Sequence, residues 1–147
     1  GWYRAGETAE TLEARHPEER LLTVRGESEE DAWAVGGSFS SVVLRWREDA
    51  WEEQETAGLG QPLNGVWTAP GETVWVAGMS GSQAYLEDGA WKIPDFPLTG
   101  EHYHAVWKHG DEALFLGGNL LSTAPPYHGI IGRHGPARGG LEVSECQ

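Results

Sequence analysis

The stretch EHYHAVWKHGDE, residues 101–112, is the one His-rich segment of this 147-residue chain. His102 and His104 stand at i and i+2, so on a strand they share a face. Paired neutral imidazoles of that kind form half of many zinc and copper sites. The other half is harder to find. His109, Asp111 and Glu112 follow in the next turn, away from the shared face, and no cysteine accompanies them. A polar, solvated strand end accounts for the same residues. His102 and His104 are therefore the nearest approach to a metal pair, and neither a metal nor another cofactor is expected. His128 and His134 read as turn caps or solvent-facing residues, and His16, beside Pro17, as linker.

Carboxylates make the second candidate set. Glu27, Glu29, Glu30 and Asp31 form an acidic turn before Trp33, and Glu72 and Asp111-Glu112 hold similar turns further on. Recurrence at one place in each segment points to a shared structural turn whose charge keeps that face soluble. A calcium site would need several of these oxygens to converge within about 2.3–2.6 Å of one point. G-x-S-x-G, P-loop and H-E-x-x-H motifs are all missing, and no Ser/His arrangement suggests an activated nucleophile. Catalysis is thus the less favoured reading.

Composition narrows the partners. Ten Lys and Arg against 23 Asp and Glu give a formal charge of −13, which disfavours a phosphate backbone or an anionic membrane as ligand. No run approaches the roughly 18–20 apolar residues that span a bilayer, and GWYRAGETAE has neither a basic nor an apolar leader region. The expectation is a soluble chain from which any targeting signal has been removed, with no membrane insertion of its own. The single cysteine, Cys146, cannot close an internal disulfide or build a Cys-based zinc cluster; it is a bystander thiol or pairs outside the chain.

What must position these groups is legible in the tryptophans and glycines. Eight Trp against three Phe, with 21 Gly, suit strands joined by tight turns. In LNGVWTAPGETVWVAGMSGSQAYLEDGAWKI, residues 63–93, four short strands are bounded by PGE, SGSQ and the hairpin pair Asp88-Gly89. The pattern recurs. About 42 residues upstream, Val24 stands for Val66, Trp33 for Trp75, Trp46 near Leu86 and Trp51 for Trp91. About 40 residues downstream, Val106-Trp107 stands for Val66-Trp67 and Phe115 for Trp75. A 40–45-residue period with four strands per unit is the sign of a β-propeller blade.

DAWAVGG, NGVW…TVWVAG and DGAW resemble the Trp-rich propeller repeats of large secreted or surface-attached bacterial proteins, of the form GVW…DVWAVG…DGxxW. The similarity covers roughly residues 21–135. LEDGAW also partly resembles the Asp-box turn of sialidase-like propellers but lacks the S-x-D-x-G-x-T-W spacing, so no sialidase chemistry is carried over.

The expected fold is all-β, with propeller blades of four antiparallel strands at residues 21–62, 63–102 and 103–147. A half blade or linker occupies 1–20, for which ETAETLEARHPEERLL offers a helix as the rival. The expected blade core is Trp33, Trp46, Trp51, Trp67, Trp75, Trp91, Trp107 and Phe115. Three and a half blades do not close a ring alone, so the remainder must come from another chain or from a second precursor fragment. The precursor is preferred, because two copies would bring two matching half blades. The resemblance implies an extracytoplasmic, noncatalytic interaction module or accessory subunit of an envelope assembly, with a protein or glycan on its rim. The alternative is a fragment of a propeller hydrolase or lyase with its site on the axis, for which the inner strands offer only Arg25, His104, Lys108 and His109.

Overall fold

A computed structural model describes residues 19–94, 99–119 and 122–136. They form eleven strands in chain order, β1 (Leu21–Gly26), β2 (Ala32–Gly36), β3 (Val42–Arg47), β4 (Ala50–Glu53), β5 (Leu63–Trp67), β6 (Trp75–Gly78), β7 (Gln83–Glu87), β8 (Ala90–Lys92), β9 (Tyr103–His109), β10 (Glu112–Gly118) and β11 (Gly129–His134). Among the described residues the only helical element is the 3-10 turn Met79–Gly81. The architecture is all-β. The first sheet runs β1-β2-β3-β4, the second β5-β6-β7-β8 and the third β9-β10-β11, every pair antiparallel. Residues 1–18 of the half blade or helix expected near the start, and Cys146, lie outside the described residues; of the rest, Glu19 and Arg20 precede β1 and Leu21 and Leu22 belong to it.

Local chemistry explains the strand boundaries. Asp88-Gly89 joins β7 to β8 with both residues at positive φ (51° and 75°), the conformation a two-residue hairpin turn requires. The matching turn of the first sheet, Glu48-Asp49, adopts the same conformation (50° and 60°) without a glycine. Each first strand carries a β-bulge at one position. Leu22, Asn64 and His104 fall between ladder pairs that are otherwise regular.

A second recurring feature lies opposite the bulge. A Cβ on Gly36 would stand 1.8 Å from the Arg20 carbonyl oxygen, one on Gly78 2.3 Å from that of Pro62, and one on Gly117 1.9 Å from that of His102. The same three carbonyls accept hydrogen bonds from the N–H of the following residue: Gly37 (2.7 Å), Met79 (2.9 Å) and Gly118 (2.9 Å). The glycine at or next to the end of each second strand is therefore the space through which the chain enters the first strand.

The sheets stack through two cores, and the second sheet is buried on both faces. Alternation along β5 and β6 sends Val66, Val74 and Val76 toward Trp33, Val35 and Val43 of the first sheet. It sends Trp67, Trp75 and Ala77 toward Tyr103, Val106, Ala113 and Phe115 of the third. Trp75 meets Phe115 edge-on, with ring centroids 5.9 Å apart, and lies against Tyr85 at 4.8 Å. First strands touch first strands across the stack: the Thr23 hydroxyl donates to the Asn64 carbonyl, and Asn64 Nδ2 donates to the Tyr103 carbonyl at 2.7 Å.

Of the expected core residues, Trp46, Trp51 and Trp107 lie on outer faces and Trp91 at a margin, while Phe115 is buried in a different role. Phe115 is not the counterpart of Trp75. Trp67 pairs with Trp75 eight residues on, whereas Trp107 pairs with Leu114 seven residues on, because the third unit's first turn is one residue shorter. One residue of slip exchanges faces, so Phe115 takes the place of Val76 and packs against Trp75 from the opposite sheet. Trp107 lies half exposed on the outer face of the third sheet. Trp46 and Trp51 form an edge-to-face pair, centroids 5.6 Å apart, on the outer face of the first sheet. Trp91 borders the first core, its indole N–H bound to the Glu55 carbonyl at 2.9 Å.

The close approach at the second-strand glycines carries a direct test. Gly78→Ala should cost at least about 3 kcal/mol, at the severe end for one substitution, and lower the melting temperature by roughly 6–12 °C. Gly60→Ala, where nothing lies within 4 Å and φ is ordinary, should leave the thermal melt within a degree or two of the wild type.

Candidate functional site

Side chains with chemistry gather where the turns between first and second strands meet. The β1–β2 turn brings Glu27 and Asp31, and the segment before β6 brings Glu72 and Thr73. A cleft of 390 Å³ opens between them, floored by Trp33, Val74 and Leu86 and flanked by Arg45. Arg45 enters from the middle of β3, on the same face as Val43, because alternation in VVLRWR turns it toward the second sheet. Its fork grips Asp31, Nε to Oδ1 at 2.9 Å and Nη2 to Oδ2 at 2.7 Å. The guanidinium carbon stands 4.8 Å from the centre of the Trp33 ring, within cation–π range.

A second set of contacts ties all three sheets at this rim. Arg25 of the first sheet donates from Nε to the Thr68 carbonyl at 3.0 Å and stands 5.7 Å from the Trp67 ring. Lys108 of the third sheet stands 5.6 Å from the same ring and pairs with Glu72. Trp67 is thus approached by a cation from each neighbouring sheet. The Thr68 hydroxyl donates to Glu27. On the third sheet Arg133 pairs with Glu112, at the position equivalent to Arg45 and Asp31.

Titration follows from these contacts. The hydrogen bonds from Arg45 hold the Asp31 carboxyl below its ordinary value, against partial desolvation, with further help from the charges of Arg45 and Arg47. The reciprocal bond holds Arg45 above its ordinary value. Burial alone pushes the Tyr103 hydroxyl up; Gly132 leaves the room that this hydroxyl occupies.

The histidines contact backbone groups and aromatic rings. His102 Nδ1 accepts the Ser80 N–H at 3.0 Å, and His104, the bulge residue of β9, places Nε2 3.2 Å from the Gly118 carbonyl. His109 stacks on Trp107, with ring centroids 5.7 Å apart and planes 11° from parallel. His134 does not face solvent; its ring lies 5.2 Å from that of Trp75, between the second and third sheets. Among the described residues no three His, Cys, Asp or Glu side chains come together as a metal site. The residue missed from sequence is Arg45. Its signal was present, as a charge at a core-facing position of a strand next to the acidic turn.

Compared with family models, curated protein sequences and solved structures, the chain matches none.

The depressed Asp31 carboxyl fixes the sign of a pH effect. Its contribution to stability is complete above the unfolded value of about 3.9 and is lost as pH falls through the lower folded value. Urea unfolding of wild type and Asp31→Asn should therefore differ most at pH 6–7, and the difference should shrink on acidification below about pH 4.

Proposed function

We propose that the chain is a noncatalytic segment of an extracytoplasmic β-propeller, akin to the Trp-rich bacterial repeats, and that it holds a protein or glycan ligand in the rim cleft between its first two sheets. The observation that carries this reading is the state of the cleft's own groups. Asp31 is bound by Arg45, Glu27 by Thr68 and Glu72 by Lys108. A polar wall held by these contacts over a floor of Trp33, Val74 and Leu86 offers shape and hydrogen-bonding groups to a ligand. The grip of Arg45 holds Asp31 below its ordinary value, the opposite of the raised carboxyl that a general acid needs. The recurring glycine contact, the bulge at one position in every first strand and the two stacked cores support the repeat architecture on which the reading rests.

Thr73 lines the cleft from the second sheet and is partly exposed, so Thr73→Trp fills the opening without disturbing either core. Screened on arrayed oligosaccharides and peptides, the wild type should give a reproducible ligand, and Thr73→Trp should bind it at least tenfold more weakly with an unchanged melting temperature. Binding that survives a filled cleft would refute the assignment.

A further inference from the structure

The two ends of the stack carry the two halves of the interface that the chain already makes twice within itself. Register equivalence makes this explicit. Val24, Val66 and Val106 occupy one position in the three first strands, as do Arg25, Trp67 and Trp107. Val66 and Val106 are 5% and 7% exposed, because each faces the preceding sheet; Val24, with no preceding sheet among the described residues, is 52% exposed. Trp67 is 5% exposed because it faces the following sheet, and Trp107, on the outer face of the third, is 48% exposed.

The neighbours follow suit. Around Val24 lie the partly exposed Leu44, Trp46 and Trp51, with Ala34 already buried beneath them, equivalents of the Ala84, Leu86, Trp91 and Val76 that the second sheet turns toward the first. Around Trp107 lie Leu114, Leu116 and Ile131, equivalents of Trp75, Ala77 and Gln83; Leu116 is 44% and Ile131 75% exposed. The polar edge is repeated as well, since the Arg133–Glu112 pair beside this face matches the Arg45–Asp31 pair that borders the first inter-sheet contact.

We propose that the outer face of the third sheet binds the outer face of the first sheet of a second copy of this chain, and that two copies close head to tail into a ring of six sheets. This rests on the propeller reading above and names its partner. The preference for a precursor fragment depended on residues 1–20, almost all outside the described residues. The faces themselves argue for a copy, because each end presents the complement of the other and neither presents the complement of itself. Such a contact is heterologous, and two of them related by a two-fold axis close the assembly. Six sheets fall within the four to eight that closed propellers use.

The test is complementation, read by native mass spectrometry and light scattering. Wild type should have twice the 16.1 kDa chain mass. Val24→Arg blocks only the first face and Leu116→Arg only the third; both positions are exposed, so each variant should keep the melting cooperativity of a folded chain. Each alone should run as a monomer, since every contact needs one intact face of each kind. Mixed one to one, they should recover a two-chain species. A monomeric wild type, an assembly of more than two chains, or a single variant that still pairs with itself would overturn the proposal. Thr73→Trp should pair as wild type does while losing the ligand, so ligand binding that survives the filled cleft with pairing intact condemns the rim reading, and a wild type that binds its ligand in the cleft without pairing condemns this one.

Discussion

Everything in this molecule is arranged around three peptide carbonyls. Those of Arg20, Pro62 and His102 lie where the Cβ of any residue but glycine would stand at positions 36, 78 and 117, and each receives a backbone N–H from just beyond that glycine. The contact fixes where the chain enters a first strand relative to the end of a second strand. Next to it one residue is set outside the ladder as a bulge, and from there the pairing runs regularly to the turn. Because side chains alternate with a period of two, that fixed origin decides which residues of both strands face which neighbour. The cores are a consequence of the register, and the register is a consequence of the glycine.

Once the register is set, the second sheet has no outside. Valines on one face and tryptophans on the other are both buried, and the charge that reaches its faces comes from Arg25, Arg45 and Lys108 of the neighbouring sheets. Charge there is organised by aromatic rings as much as by opposite charge. Arg25 and Lys108 reach Trp67 from the two neighbouring sheets, and Arg45 lies against Trp33 while bound to Asp31. A guanidinium beside an indole gives up little hydration and keeps its fork free for a carboxylate. A strongly acidic chain thus spends cations at the seams between sheets.

Much of this could be read from the residues. The four strands of the middle unit, the Asp88-Gly89 hairpin and the equivalence of Trp33 with Trp75 follow from alternation, turn chemistry and period, which are local properties. Phe115 shows where local reading stops. By type it matches Trp75, but the turn before it is one residue shorter, and a shift by one in a strand changes the face without changing the look of the sequence. The His102/His104 spacing alone suggests a shared face; the bulge at His104 breaks the simple alternation, and backbone groups engage both rings. Arg45 escaped notice because its partner is fourteen residues away, across a strand pair.

The bulge has a further meaning for how such a chain is assembled from units. A residue outside the ladder is released from the demand to be apolar on one face and polar on the other, so its identity is free to vary while the sheet stays the same. The three units use that freedom differently. Leu22 stays exposed, Asn64 reaches across to the Tyr103 carbonyl of the next sheet, and His104 turns back to its own sheet at Gly118. One side chain per unit, at one address, thereby marks each unit without altering its ladder, and a designer varying these repeats has that position to write on.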